Sequence, residues 1–199
     1  MIWIALAVAI AALVAYRLTQ RVNVDHLPQS FVVFGLTTTG SDPDRHEIIE
    51  IGALRVERDA TVMDSLRRLV TPSREIPARV TELTGITQIA LNREGKPLEA
   101  ALREFSEFIG ELPLVSFNAD VDMNFLGSAT RMSGISIKNP LACARKMAHR
   151  AWPDRKGNGL AELAKADKAG VQAEHRVLRD CRQILSIYLA AASRLGTAK

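Results

Sequence analysis

The sequence predicts an α/β domain set behind an apolar N-terminal helix, and three observations predict it. Phe31 to Gly40 runs four apolar β-formers into Gly35 and closes on a Thr cluster and Gly40, the pattern of a buried central strand. Glu47 to Val56 and Thr61 to Val70 follow as β-patterned stretches across short turns, which makes an antiparallel meander of three strands. Pro97 to Ile109 places Leu98, Leu102, Phe105 and Ile109 at helical spacing, an amphipathic helix that covers a sheet.

The bulk numbers bound the answer. The chain has 199 residues, 47% hydrophobic and 24% charged, which fits one domain with an appendage. The net charge of +4 and the pI of about 9.3 permit a polyanionic partner without demanding one. Cys143 and Cys181 lie far apart with no metal-ligand spacing, and read as reduced thiols.

The appendage is the N-terminus. Residues 2 to 16 are apolar throughout, and Arg17 and Arg21 follow. As a helix, residues 1–18 span about 27 Å at 1.5 Å per residue, close to the ~30 Å of bilayer hydrocarbon. A secretory signal peptide would want basic residues before the run and a small-x-small cleavage site after it; this sequence has neither. An apolar core helix is a further alternative, but no polar face exists to meet water. The sequence therefore predicts a transmembrane anchor over 1–18, a polar linker over 19–29 and the main domain over 30–195. Both arginines follow the span, so the positive-inside rule expects a single pass through the cytoplasmic (inner) membrane with the domain facing the cytoplasm.

Within the domain, Ser41 to His46 is a turn by its Pro and Asp content. Ile76 to Thr87 reads as a short helix with Pro77 in the first turn and Gly85 as C-cap. Leu114 to Phe117 is a short strand, Leu141 to Pro153 is expected to be helical, and a last helix carries Leu178, Ile184, Leu185 and Leu189 on its core face. Lys138, Arg145, Lys146, His149, Arg150, Arg155 and Lys156 make one zone basic; a solvated face is its ordinary reading, and phosphate contact the alternative.

Several of these stretches resemble the motifs of the DnaQ-like (DEDDh) 3′–5′ exonucleases, the family of the proofreading ε subunit. The first motif there is apolar-Asp-apolar-Glu-Thr-Thr-Gly; Leu36, Thr38, Thr39 and Gly40 match, but Gly35 replaces the Asp and Thr37 the Glu. Glu50, Ile51, Gly52 and Ala53 match the Glu-Ile-Gly-Ala segment of the second strand, and Leu83-Thr84-Gly85-Ile86-Thr87 the segment that touches the 3′-terminal nucleotide. Asn118, Ala119, Asp122, Phe125 and Leu126 match the second motif, with Phe117 in place of a frequent His. His175 and Asp180 match the final His-x4-Asp, and the resemblance covers residues 31 to about 190.

The resemblance implies a ribonuclease H-like fold: a mixed five-stranded sheet, antiparallel meander plus parallel strands, flanked by helices. It implies His175 as the residue that activates water, and Asp122 and Asp180 as ligands of Mg2+ or Mn2+. Thr38, Thr39, Gly40, Leu83, Thr84, Gly85 and Asn118 would contact the 3′ end of a single-stranded nucleic acid. For Asn118, Asp120 and Asp122, helix N-capping is the competing structural role, and it is the expected one for Asp120.

Two-metal hydrolysis needs carboxylates to hold two hard cations about 3.5–4 Å apart. Residues at i and i+2 of a strand face one way, so Gly35 and Thr37 leave the site two acids short. Asp42, Asp44 and Glu50 are conceivable substitutes, none with the lost geometry by sequence. The sequence thus predicts weak or absent metal binding, impaired hydrolysis and retained nucleic-acid binding. The alternatives are an active exonuclease with substitute ligands, and a scaffold that binds an unknown protein partner.

Overall fold

The computed structural model describes residues 24–155, 157, 159, 160, 163 and 176–197. A five-stranded sheet runs in the order β3-β2-β1-β4-β5. β1 (Ser30–Thr38), β2 (Ile48–Glu57) and β3 (Val62–Leu69) form the expected antiparallel meander. β4 (Leu114–Ser116) joins β1 in parallel, and β5 (Leu141–Cys143) joins β4 in parallel. β1 is therefore central, and Phe31, Val32, Val33 and Phe34 have no exposed surface.

The strands alternate their side chains between two cores. Val32 and Phe34 face α3 (Leu98–Ile109) and α4 (Ala119–Ser133), where Phe34 packs on Phe105 at 5.6 Å between ring centroids. Phe31 and Val33 face α5 (Ala144–Ala151) and α6 (Arg176–Thr197), where Phe31 meets Tyr188 edge-on at 5.4 Å. A smaller cluster of Ile49, Leu69, Val80, Ile86 and Leu91 seats α1 (Ala78–Thr84) and α2 (Gln88–Glu94) at the end of the meander.

Gly52 sets how closely α6 approaches. A Cβ at position 52 would lie 2.5 Å from Val177, a distance real Cβ atoms do not adopt. The Cys181 thiol then donates to the Gly52 carbonyl at 3.6 Å. This contact brings the first turns of α6, and Asp180 with them, against the C-terminal half of β1.

Two expectations need correcting, and one helix was not expected. Leu141 to Cys143 is not the start of a helix: it pairs with β4 as an edge strand, and the helix begins at Ala144. Helix α2 was not legible, because its one start signal is a lone Thr87, whose hydroxyl accepts from the Ala90 N–H. Asp120 is not an N-cap; it lies exposed in the first turn of α4, where its carboxylate pairs with Lys146 at 2.8 Å. The predicted anchor (1–18) and residues 19–23 of the linker lie outside the described residues, as does His175. Among the described residues, no helix is long and apolar enough to cross a membrane.

Candidate active site

The site is built where the C-terminal half of β1 meets the first turns of α4 and α6. The hairpin register sets its floor. Gly35 pairs with Gly52, Thr37 with Glu50, and Gly52 in turn with Arg67 on β3. Directly paired residues of antiparallel strands project to the same face. Gly35, Thr37, Glu50 and Arg67 thus share one face, the face on which Val177 and Cys181 of α6 lie nearest a Cβ built at Gly35. The register shifts just beyond, between Thr37 and Thr38, so that Ile49 is left over as a bulge. Such bulges re-aim side chains beside functional sites. This one turns Ile48 and Glu50 to opposite faces.

The floor carries a hydrogen-bonded chain. Thr37 Oγ1 donates to Glu50 Oε2 at 3.0 Å, and Arg67 Nε donates to Glu50 Oε1 at 2.7 Å. Both oxygens of this carboxylate, only 3% exposed, are engaged. Sequence reasoning named Glu50 as a remote substitute and overlooked Arg67 altogether. The signal was available in principle, since the spacing of a β-hairpin fixes which residues pair. The bulge shifts that count by one, and no residue in the sequence announces it.

The opposite wall holds the two surviving acids. Asp122, in the first turn of α4, accepts a hydrogen bond from Ser116 Oγ on β4. Burial pushes its carboxyl up to about 6, and the Ser116 hydrogen bond only partly offsets this. Asp180 on α6 is also raised, first by burial; Arg176 and Arg179 on its own helix oppose the shift, and the charge of Glu50 adds to it. Asp180 directly precedes Cys181, whose thiol reaches the Gly52 carbonyl, so it is carried on the turn of α6 that packs on this face of the sheet. Asp122 and Asp180 are thus acids whose carboxyls are raised chiefly by burial, a common trait of functional sites.

The remaining expected contact residues lie in the turn after β1, at the end of α1 and at the start of α4. Thr38 Oγ1 donates to the Gly40 carbonyl at 2.6 Å, and Thr39 Oγ1 accepts from the Glu47 N–H at 3.0 Å, so both hydroxyls brace the turn that leaves β1. Asp42 belongs to that turn: its carboxylate accepts from the Asp44 N–H at 3.0 Å. Gly85 caps α1 in the left-handed conformation (φ 75°), and Thr84 Oγ1 both donates to the Val80 carbonyl and accepts from the Ile86 N–H. Leu83 is left 55% exposed beside them, an apolar surface of the kind a nucleobase stacks on. Asn118 stands at the N-cap of α4 but makes no side-chain capping bond.

The donor set does not fit a pair of divalent cations. Position 35 offers no oxygen, and the Thr37 hydroxyl and both Glu50 oxygens are committed to one another and to Arg67. Among the described residues, no group of three or more His, Cys, Asp or Glu side chains is placed to hold a metal ion.

A mixed sheet with this strand order, its site at the carboxyl end of β1, defines an α/β nuclease of the ribonuclease H-like kind. Residues 32–188 match the family model of the RNase_T exonucleases, and the chain belongs to that family, the DnaQ-like 3′–5′ exonucleases. It is 33% identical to the DNA polymerase III subunit epsilon of Aquifex aeolicus over 171 residues, covering 85% of this chain and 83% of that one. It is 35% identical over 158 residues to the PolC-type DNA polymerase III of Clostridium perfringens, covering 79% of this chain but only 11% of the polymerase. In structure it is similar to the nuclease domain of 3′hExo, a DEDDh family member bound to rAMP, with a TM-score of 0.70, 18% identity and coverage of 83% and 92%.

Proposed function

We propose that this protein is a DnaQ-like exonuclease-family member that binds the 3′ end of single-stranded nucleic acid and hydrolyses it poorly or not at all. The observation that carries the reading is the floor of the site. Gly35 and Thr37 stand where the family's first-motif acids belong, and the nearest replacement, Glu50, is held by Arg67 and Thr37. A carboxylate already paired with a guanidinium has its charge largely neutralised and holds a cation less tightly. Each ligand lost removes on the order of a few kcal/mol of transition-state stabilisation, and every 1.36 kcal/mol is about tenfold in rate. Asp122, Asp180 and the exposed Leu83 keep the residues of the family's motifs, which supports a binding surface that outlasts the charge for cleavage.

The apolar N-terminal segment supports a second element of the reading, a membrane anchor that places the domain at the cytoplasmic face of the inner membrane. Fractionation of the full chain with membranes, resistant to high salt and released by detergent, tests that element.

The hydrolytic element is tested by incubating the protein with 5′-labelled single-stranded DNA and RNA and Mn2+. The reading expects intact oligonucleotide. Robust 3′ trimming that Asp180→Ala abolishes would replace it with an active exonuclease using substitute ligands. Absence of any affinity for either strand at low salt would replace it with a protein-binding scaffold.

A further inference from the structure

The Glu50–Arg67 pair lies within the floor of the site, and nothing above gives the arginine a task. A buried carboxylate needs a partner, but that need alone does not call for a guanidinium in this place. Arg67 is on the face that carries Gly35 and Thr37, and its side chain is 23% exposed while that of Glu50 is 4% exposed. The guanidinium is therefore held at Nε by Glu50 and remains partly open to solvent. Its Nε is bonded to Glu50, and neither Nη group is hydrogen-bonded to another described residue. A planar guanidinium with one edge fixed still presents donors to a second oxyanion, and phosphate suits that fork.

We propose that Arg67, anchored by Glu50 and Thr37, is the resident positive charge of this site and holds a phosphodiester of a single-stranded nucleic acid there without a divalent cation. The inference rests on the nucleic-acid-binding reading above and adds the group that does the binding. In a two-metal site the cations neutralise the phosphate, and the acids exist to hold the cations. Removing two acids lowers the repulsion a phosphate meets. A fixed arginine then supplies locally what the metals no longer bring. Its orientation costs little on binding, since Glu50 has already restricted its rotamers. The other charged groups near this face are Glu50, whose charge Arg67 offsets, and Asp180 on α6, which Arg176 approaches at 3.9 Å.

The test uses the full chain in neutral detergent and a short 5′-labelled oligothymidylate, with binding read by fluorescence anisotropy across a salt series in EDTA and in Mn2+. The wild type is expected to bind equally in both. Arg67→Gln alone would strand a buried carboxylate, so the double variant Glu50→Gln with Arg67→Gln carries the test, with its fold checked by thermal melting. It should bind about tenfold more weakly and lose about one from the slope of log affinity against log salt. Glu50→Gln alone, which leaves the guanidinium without its counter-charge, should tighten binding. A wild type that needs Mn2+ to bind, a folded double variant with unchanged affinity and slope, or weaker binding by Glu50→Gln would each overturn the assignment to Arg67 and leave the nucleic-acid reading standing. A wild type that binds no oligonucleotide in either buffer overturns both.

Discussion

The candidate site divides between helices and strand, with Asp122 and Asp180 on α4 and α6 and Gly35 and Thr37 on β1, and the two walls have opposite chemistry. The helical wall keeps acids that burial penalises, with both carboxyls raised from their ordinary values. The strand wall lacks both first-motif acids; it presents a glycine, a hydroxyl and the Glu50–Arg67 ion pair, whose charges cancel locally. The scaffold around both walls is intact. The close approach of α6 at Gly52, the bulge after Thr37 and the Gly85 cap are all in place. The comparison teaches that the geometry of a nuclease site is specified by packing and register, while its chemistry depends on a few side chains that packing does not require.

The largest effect expected is a gain of activity. Gly35→Asp with Thr37→Glu should restore two anionic ligands to the strand wall and raise Mn2+-dependent 3′ trimming by about three decades or more, from a few kcal/mol per ligand. The fold leaves room, since a Cβ at Gly35 meets its nearest neighbours, Cys181 and Val177, at 3.7 and 3.9 Å, ordinary contact distances. A gel assay for shortened product reads the outcome. No gain in a folded variant would mean the helical wall has lost its competence too.

Next comes the cost of keeping Asp122. Its folded value of about 6 lies above the ordinary aspartate value of 3.8. The folded state therefore favours the protonated acid, and stability falls as pH rises from about 4 to about 6, then levels off. At roughly 1.36 kcal/mol per unit the penalty above pH 6 is roughly 3 kcal/mol. Asp122→Asn keeps an acceptor for Ser116 and should recover about that much at pH 8, with the gain shrinking to nothing below pH 4. Denaturant titrations at the two pH values check it. A gain of equal size at both would show that burial of charge is not the cause.

Two glycines on the paired strands give smaller effects of opposite sign. Gly52→Ala forces a Cβ into Val177 and should destabilise by about 1–3 kcal/mol, as overpacking does. Gly35→Ala meets only ordinary contacts and removes the entropy of a strand glycine, so it should be neutral or stabilise by up to about 1 kcal/mol. Thermal melting of the two variants side by side reads the contrast. Equal losses would mean that α6 presses on both positions alike.

Much of this was legible in the residues. The meander, helix α3, the Gly85 cap and the helical position of Asp122 follow from local pattern and cap chemistry, which act within a few residues. The edge strand β5 was not legible, because three residues carry no periodicity and only pairing with β4 makes them a strand. The site divided in the same way. Missing acids at positions 35 and 37 can be read directly, since an absence needs no geometry. Arg67 could not be placed, because its membership depends on two strand registers and a bulge, all non-local. Burial of Asp122 and Asp180 likewise arises only when α4 and α6 close on the sheet.

The central claim is that the site lacks the charge to hold its catalytic cations. Titration of Mn2+ into the wild-type chain, followed by calorimetry beside the Gly35→Asp, Thr37→Glu variant, tests it most directly. The account predicts no saturable uptake by the wild type at micromolar metal and recovered uptake by the variant. Two ions bound per wild-type chain in the micromolar range, lost on Asp122→Asn or Asp180→Asn, would contradict it.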